Sequence, residues 1–129
     1  MMYRNFKYLN TNPYNIDDRD CTIRAISLFL NKDWDEVYWG ICRVGFELKR
    51  MPSTNITWKI YLKQQGYEPT RIHHQCPNCY TVNEFAIQHP YGVYLLKVDE
   101  HVVTVVNGYY YDTWDSGDEI VLYYYERRE

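Results

Sequence analysis

The chain has 129 residues, 46% of them hydrophobic and 24% charged, which is enough for a single domain over residues 1–129 with a real core. A net charge of −3 and the lack of any long single-sign block exclude a basic surface for nucleic acid. No apolar run approaches the ~20 residues of a membrane span, and Met1-Met2-Tyr3-Arg4-Asn5-Phe6-Lys7 lacks the apolar stretch of a signal peptide, so a cytoplasmic protein with no membrane partner is expected.

Residues 1–20 read as irregular or extended, with Asn10-Thr11-Asn12-Pro13 as a turn signal. A first helix is predicted from Cys21 to Leu30, where Ala25, Ile26, Phe29 and Leu30 form a helical stripe. Asp33 with Glu36 has the spacing of a capping box and opens a second helix, which carries Trp34, Val37, Tyr38 and Ile41 and fades near Gly45. After the loop at Met51-Pro52-Ser53-Thr54-Asn55, a third helix is predicted near Thr57 to Gln65, ended by Gly66 in the manner of a C′ glycine. Residues 67–80 are loop or short strand. Thr81-Val82-Asn83-Glu84 starts a short fourth helix with cap chemistry that ends at His89-Pro90.

The remainder is β. Strands are predicted at Gly92 to Val98, His101 to Val106, Tyr109 to Trp114 and Ile120 to Tyr125, and Asn107-Gly108 is a strong hairpin signal between the second and third. Helices first and antiparallel strands later describe an α+β domain, the N-terminal helices packed on a C-terminal antiparallel sheet. The many tyrosines, 15 in all, serve mainly where phenylalanine otherwise would.

Cys21 follows a polar loop ending at Asp20 and opens the first helix, where backbone N–H groups and the helix dipole favour a thiolate. The two-residue turn at Asn107-Gly108 pairs Val106 with Tyr109, Val103 with Asp112 and His101 with Trp114. Alternate residues share a face, so His101, Val103 and Asp112 project to one side, with Asp112 diagonal to His101 and within reach of an imidazole nitrogen. A cysteine at a helix start, with histidine and aspartate on a hairpin, has the parts of a nucleophile, its base and its orienter. Asp112 is the expected orienter. Asp115 is the alternative, favoured if a bulge near Trp114 reverses the facing. Arg24 is expected to face outward, as a surface ion pair with Asp17, Asp18 and Asp20.

This order of Cys21, His101 and Asp112 on helix, strand and next strand resembles the papain-like cysteine peptidase superfamily. It is nearest to small domains of the bacteriocin-processing peptidase type and to uncharacterised phage and bacterial proteins of that shape. Gly92-Val93-Tyr94, His101-Val102-Val103 and Tyr111-Asp112-Thr113-Trp114-Asp115-Ser116 carry the likeness, which spans about Asn15 to Tyr125. The resemblance implies a papain-like fold and an oxyanion donor six positions before the nucleophile. Relatives have Gln there and this chain has the shorter amide of Asn15. The Cys21 backbone N–H would be the other donor. Thr22 stands where many relatives have a small residue, and no tryptophan directly follows the cysteine, which sets this chain apart from papain itself.

His73-His74-Gln75-Cys76-Pro77-Asn78-Cys79 is a weaker candidate, for zinc. Cys76 and Cys79 have ligand spacing with His73 and His74 nearby, but a second such pair is missing and Cys42 stands alone. No metal and no cofactor is therefore expected, and the cysteines are expected as thiols. The expected function is a small cysteine hydrolase acting on peptide or isopeptide bonds of a peptide or protein substrate. The rival readings are an idle binding module that blocks a partner protein, and an acyltransferase on the same triad.

Overall fold

The computed structural model describes residues 4–73 and 79–127. In chain order the elements are β1 (Phe6–Tyr8), α1 (Cys21–Leu30), α2 (Trp34–Leu48), α3 (Asn55–Gln64), β2 (Thr70–Arg71), α4 (Val82–Gln88), β3 (Val93–Val98), β4 (His101–Val106), β5 (Tyr109–Asp112) and β6 (Tyr123–Glu126). The domain is α+β, but its sheet is mixed rather than wholly antiparallel. Six strands run in the order β1-β5-β4-β3-β6-β2, and β1 lies parallel to β5. The N-terminal segment, expected to be irregular or extended, supplies an edge strand, with Phe6 opposite Tyr110 and Tyr8 opposite Asp112. Three residues are too few to show a period of two, and a parallel partner leaves no hairpin turn in the sequence.

Both faces of the central strands are covered. One core joins Ile26, Phe29, Val37, Ile41, Trp58 and Leu62 of the first three helices to Leu95 and Val102 of the sheet. On the other face, Val82, Phe85 and Ala86 of α4 meet Leu96, Val98, Val103, Val105 and Tyr110. A strand buried on both sides loses its apolar–polar alternation, and β3 reads Val-Tyr-Leu-Leu-Lys-Val accordingly.

Helix α1 has the predicted bounds and ends on Asn31 in the left-handed conformation, φ 55°. Helix α2 continues past Gly45 to Leu48, and no side-chain cap forms at Asp33. A Cβ at position 45 would lie 2.7 Å from the Arg50 carbonyl oxygen, so the glycine there serves close packing rather than ending the helix. The expected capping box forms instead at Thr81, whose hydroxyl accepts from the Glu84 N–H at 3.2 Å while the Glu84 carboxylate accepts from the Thr81 N–H at 3.0 Å.

The β4–β5 hairpin has the predicted register, Val106 opposite Tyr109 and Thr104 opposite Tyr111. Asn107 and Gly108 both have positive φ, 48° and 87°, as a two-residue primed turn requires. β5 ends at Asp112, short of Trp114, because the Asp112 carboxylate accepts the N–H of Thr113 at 2.8 Å and turns the chain out of the ladder. β6 begins at Tyr123 rather than Ile120, since Ile120 bridges Thr81 and the Val121 N–H bonds the Tyr80 carbonyl.

Candidate active site

α1 lies across β4, and the Thr104 hydroxyl donates to the Ala25 carbonyl at 2.6 Å, pinning the helix to the sheet. This crossing sets the first residue of α1 against the first residue of β4. The Cys21 thiol lies beside the His101 imidazole and the Val102 backbone N–H, both of which act to lower it. On its other side His101 bonds Asp112, Nε2 to Oδ2, at 2.6 Å. With Nε2 on the carboxylate, Nδ1 is left for the sulfur. The three residues selected from the sequence are therefore assembled into one row of thiol, imidazole and carboxylate.

The row is buried. His101 is 7% exposed and Asp112 5%. Burial raises the Cys21 thiol, yet the hydrogen bond and charge of His101, the Val102 N–H and the Thr22 side chain outweigh it, and the thiol is lowered from its ordinary value. Burial lowers the His101 imidazole, but Asp112 and Cys21 together outweigh that and push it up to about 9. Shifts of opposite sign in two neighbouring groups are the direction in which a thiolate–imidazolium pair moves them.

Further side chains complete the site. Ser116, fully buried, donates from its hydroxyl to Asp112 Oδ2 at 2.7 Å, so the orienter is itself oriented. The Trp114 ring lies against the imidazole, centroids 4.9 Å apart. Lys97, buried in β3, donates to the Val98 carbonyl; burial lowers its ammonium, while Asp99, Cys21 and Glu100 act the other way. The sheet side of the thiol has a cavity of only about 10 Å³, lined by Thr11, Arg24, Val102 and Asp112, too small for more than one water.

A larger groove of about 440 Å³ starts at the neighbours of the thiol, Asp20 and Thr22. Its walls are Ile16, Ile23, Trp34, Tyr38, Ile41 and Pro52. Trp34 and Tyr38 stack there at 5.1 Å.

Asp115, the alternative orienter, is turned away. It takes the Arg4 guanidinium at 3.1 Å, accepts from the Tyr110 hydroxyl, and bonds the Gly117 N–H at 3.0 Å. Asn15 is exposed, with left-handed backbone at φ 56°, and its amide has no hydrogen bond to Cys21, His101 or Asp112. Arg24, expected to face outward, is buried at 7% exposure and pairs with Asp20, 8% exposed, and with Asp17 at 3.1 Å. The helix turns Arg24 inward because α1 presents its N-terminal half to β4 and to the end of β5.

For the zinc candidate, Cys76 and His74 lie outside the described residues, while His73 and Cys79 are exposed. Among the described residues no three His, Cys, Asp or Glu side chains gather where they could hold a metal ion. Cys21, Cys42 and Cys79 are free thiols. No helix of the described residues is long and apolar enough to cross a membrane. No family model, curated protein or solved structure matches this chain.

Proposed function

We propose that this chain is a small papain-like cysteine hydrolase of peptide or isopeptide bonds. The observation that carries the proposal is the row Cys21–His101–Asp112, its imidazole hydrogen-bonded to the carboxylate, with the thiol lowered and the imidazole raised. In the proposed reaction the Cys21 thiolate attacks the substrate carbonyl carbon, and the carbonyl electron pair moves onto oxygen. The Cys21 backbone N–H, at the first turn of α1 with no intrahelical acceptor, is one donor to that oxyanion. Asn15, six positions before Cys21, is the candidate for the second donor. The imidazolium of His101 gives its proton to the leaving amine as the C–N bond breaks, and a thioester remains. Water then attacks the thioester, His101 takes the proton, and the acid departs with the thiolate restored. Asp112 holds the tautomer and stabilises the imidazolium throughout. The groove beside Thr22 receives apolar side chains of the substrate.

The test is the pH dependence of Cys21 alkylation by iodoacetamide, followed site by site by mass spectrometry in wild type and His101→Ala. Exposed Cys79 is a reference in the same digest. The expected result is Cys21 reactivity well below the ordinary thiol pKa of ~8.5, lost in His101→Ala. A Cys21 that reacts as a plain thiol in both proteins, or not at all, removes the hydrolase reading and leaves a binding module.

A further inference from the structure

The triad is drawn from two distant parts of the chain. Cys21 rides on the first turn of α1, and Asp112 stands at the end of β5. One side chain spans the turns that carry them. Arg24 Nη1 takes the Asp20 carboxylate, immediately before the nucleophile, and Nη2 donates to Thr113 Oγ1 at 3.4 Å, immediately after the orienter. The Thr113 N–H in turn donates to Asp112 Oδ1 at 2.8 Å. Arg24 thus reaches a residue 89 positions away in the chain.

Burying a guanidinium and a carboxylate costs several kcal/mol per ion in desolvation, and well-packed apolar residues often replace such pairs without loss of stability. Stability alone is therefore a weak reason for Arg24. Geometry supplies a better one. Asp20 is the N-cap residue of α1, yet its side chain does not cap the helix. Arg24 holds one oxygen, and the other accepts from Trp34 Nε1 at 2.9 Å and from Asn12 Nδ2 at 3.3 Å. This keeps a competing carboxylate off the helix terminus, where the thiolate and the oxyanion would have to form. The Arg24 carbonyl accepts from Thr11 and Ser27 hydroxyls at 3.3 and 2.8 Å, so its backbone is tied down as well.

The geometry points to Arg24 as a positioning residue that locks the nucleophile's turn to the orienter's turn, through Asp20 on one side and Thr113 on the other. This rests on the hydrolase reading of Cys21, His101 and Asp112. A guanidinium forks to both turns at once, whereas an ammonium can satisfy Asp20 but does not reach Thr113 in the same geometry.

The experiment is Cys21 alkylation against pH in wild type, Arg24→Lys, Thr113→Val and the double variant, with melting temperatures in parallel. Each single variant is expected to slow Cys21 alkylation at pH 6 about tenfold and to move its profile toward that of a plain thiol, as a loosened near-attack geometry does. The double variant is expected to do no worse than Arg24→Lys alone, because both changes cut one link. Thr113→Val removes the link without touching a charge, so it decides the matter even if Arg24→Lys fails to fold. Unchanged profiles in both single variants, with only the melting temperatures lowered, overturn the clamp and leave the hydrolase reading intact. Fully additive losses overturn it too. If wild-type Cys21 itself is not activated, the hydrolase reading falls and the clamp falls with it.

Discussion

At its turn the β4–β5 hairpin is held by neutral groups. Gly92 N–H donates to the Asn107 side chain at 3.0 Å, Asn107 N–H to the Gly92 carbonyl at 2.8 Å, and the Asn5 amide to the Gly108 carbonyl at 2.7 Å. At its open end the same hairpin buries His101 and Asp112 beside Cys21, with Asp20, Arg24, Lys97 and Ser116 close around the same end of the sheet. The turn end follows from local backbone chemistry, and each of its hydrogen bonds replaces one made to water at small net gain. The open end gathers ionisable groups in a dry space, where each charge depends on a partner. Asp20, Cys21, Lys97 and His101 are shifted there, a clustering that supports the proposed site. The strand between them lets a rigid end position a costly one.

Asp112→Asn cuts deepest into this contrast. It should lower the rate of any acyl transfer by about 100-fold or more. His101, now raised to about 9, should titrate lower in the variant by NMR. The sign of the stability change follows. A histidine raised above its unfolded value near 6.5 contributes stability in full below pH ~6.5 and loses it as pH rises through about 9. The difference in unfolding free energy between wild type and Asp112→Asn should therefore shrink steadily across that window in urea titrations. A difference that grows with pH there would contradict the imidazolium–carboxylate pair.

Gly108→Ala tests the other end. Position 108 has φ 87°, and a Cβ there would sit 3.2 Å from the Pro90 Cα. A loss of roughly 1 kcal/mol in stability is expected with the Cys21 alkylation profile unchanged. A shift in that profile would mean that strain travels along the hairpin and that the two ends are not separable.

Asp115→Asn should do least. It weakens a partly exposed pair with Arg4, costing below about 1 kcal/mol, and leaves Cys21 reactivity untouched. Loss of reactivity in this variant would return Asp115 to contention as orienter.

Much of this was open to reading along the chain. The start of α1 at Cys21, the Asn107-Gly108 turn and the resulting register depend on neighbours within a few residues, and so does the Thr81 capping box. β1 and the mixed sheet were not open in this way, because a three-residue parallel edge strand has neither period nor turn. Arg24 departs from its expected outward position for a related reason. Three nearby aspartates suggest a solvated pair, and whether such a cluster faces water depends on what covers it. Ser116 and Lys97 carried no signal, since a serine in a turn and a lysine in a strand are common in unburied places.

By itself the sequence determined which side chains share a face: helical and strand periods set the direction of His101 relative to Asp112, and a polar loop before an apolar stripe set Cys21 at a helix start. Only the tertiary structure decided that these two pieces meet. Local dihedral preferences do not specify how α1 crosses β4; that comes from packing of the helical face on Val102 and Leu95, the Thr104–Ala25 hydrogen bond and the buried Arg24. The distance from sulfur to imidazole, and with it the charge state of both, is a property of that crossing.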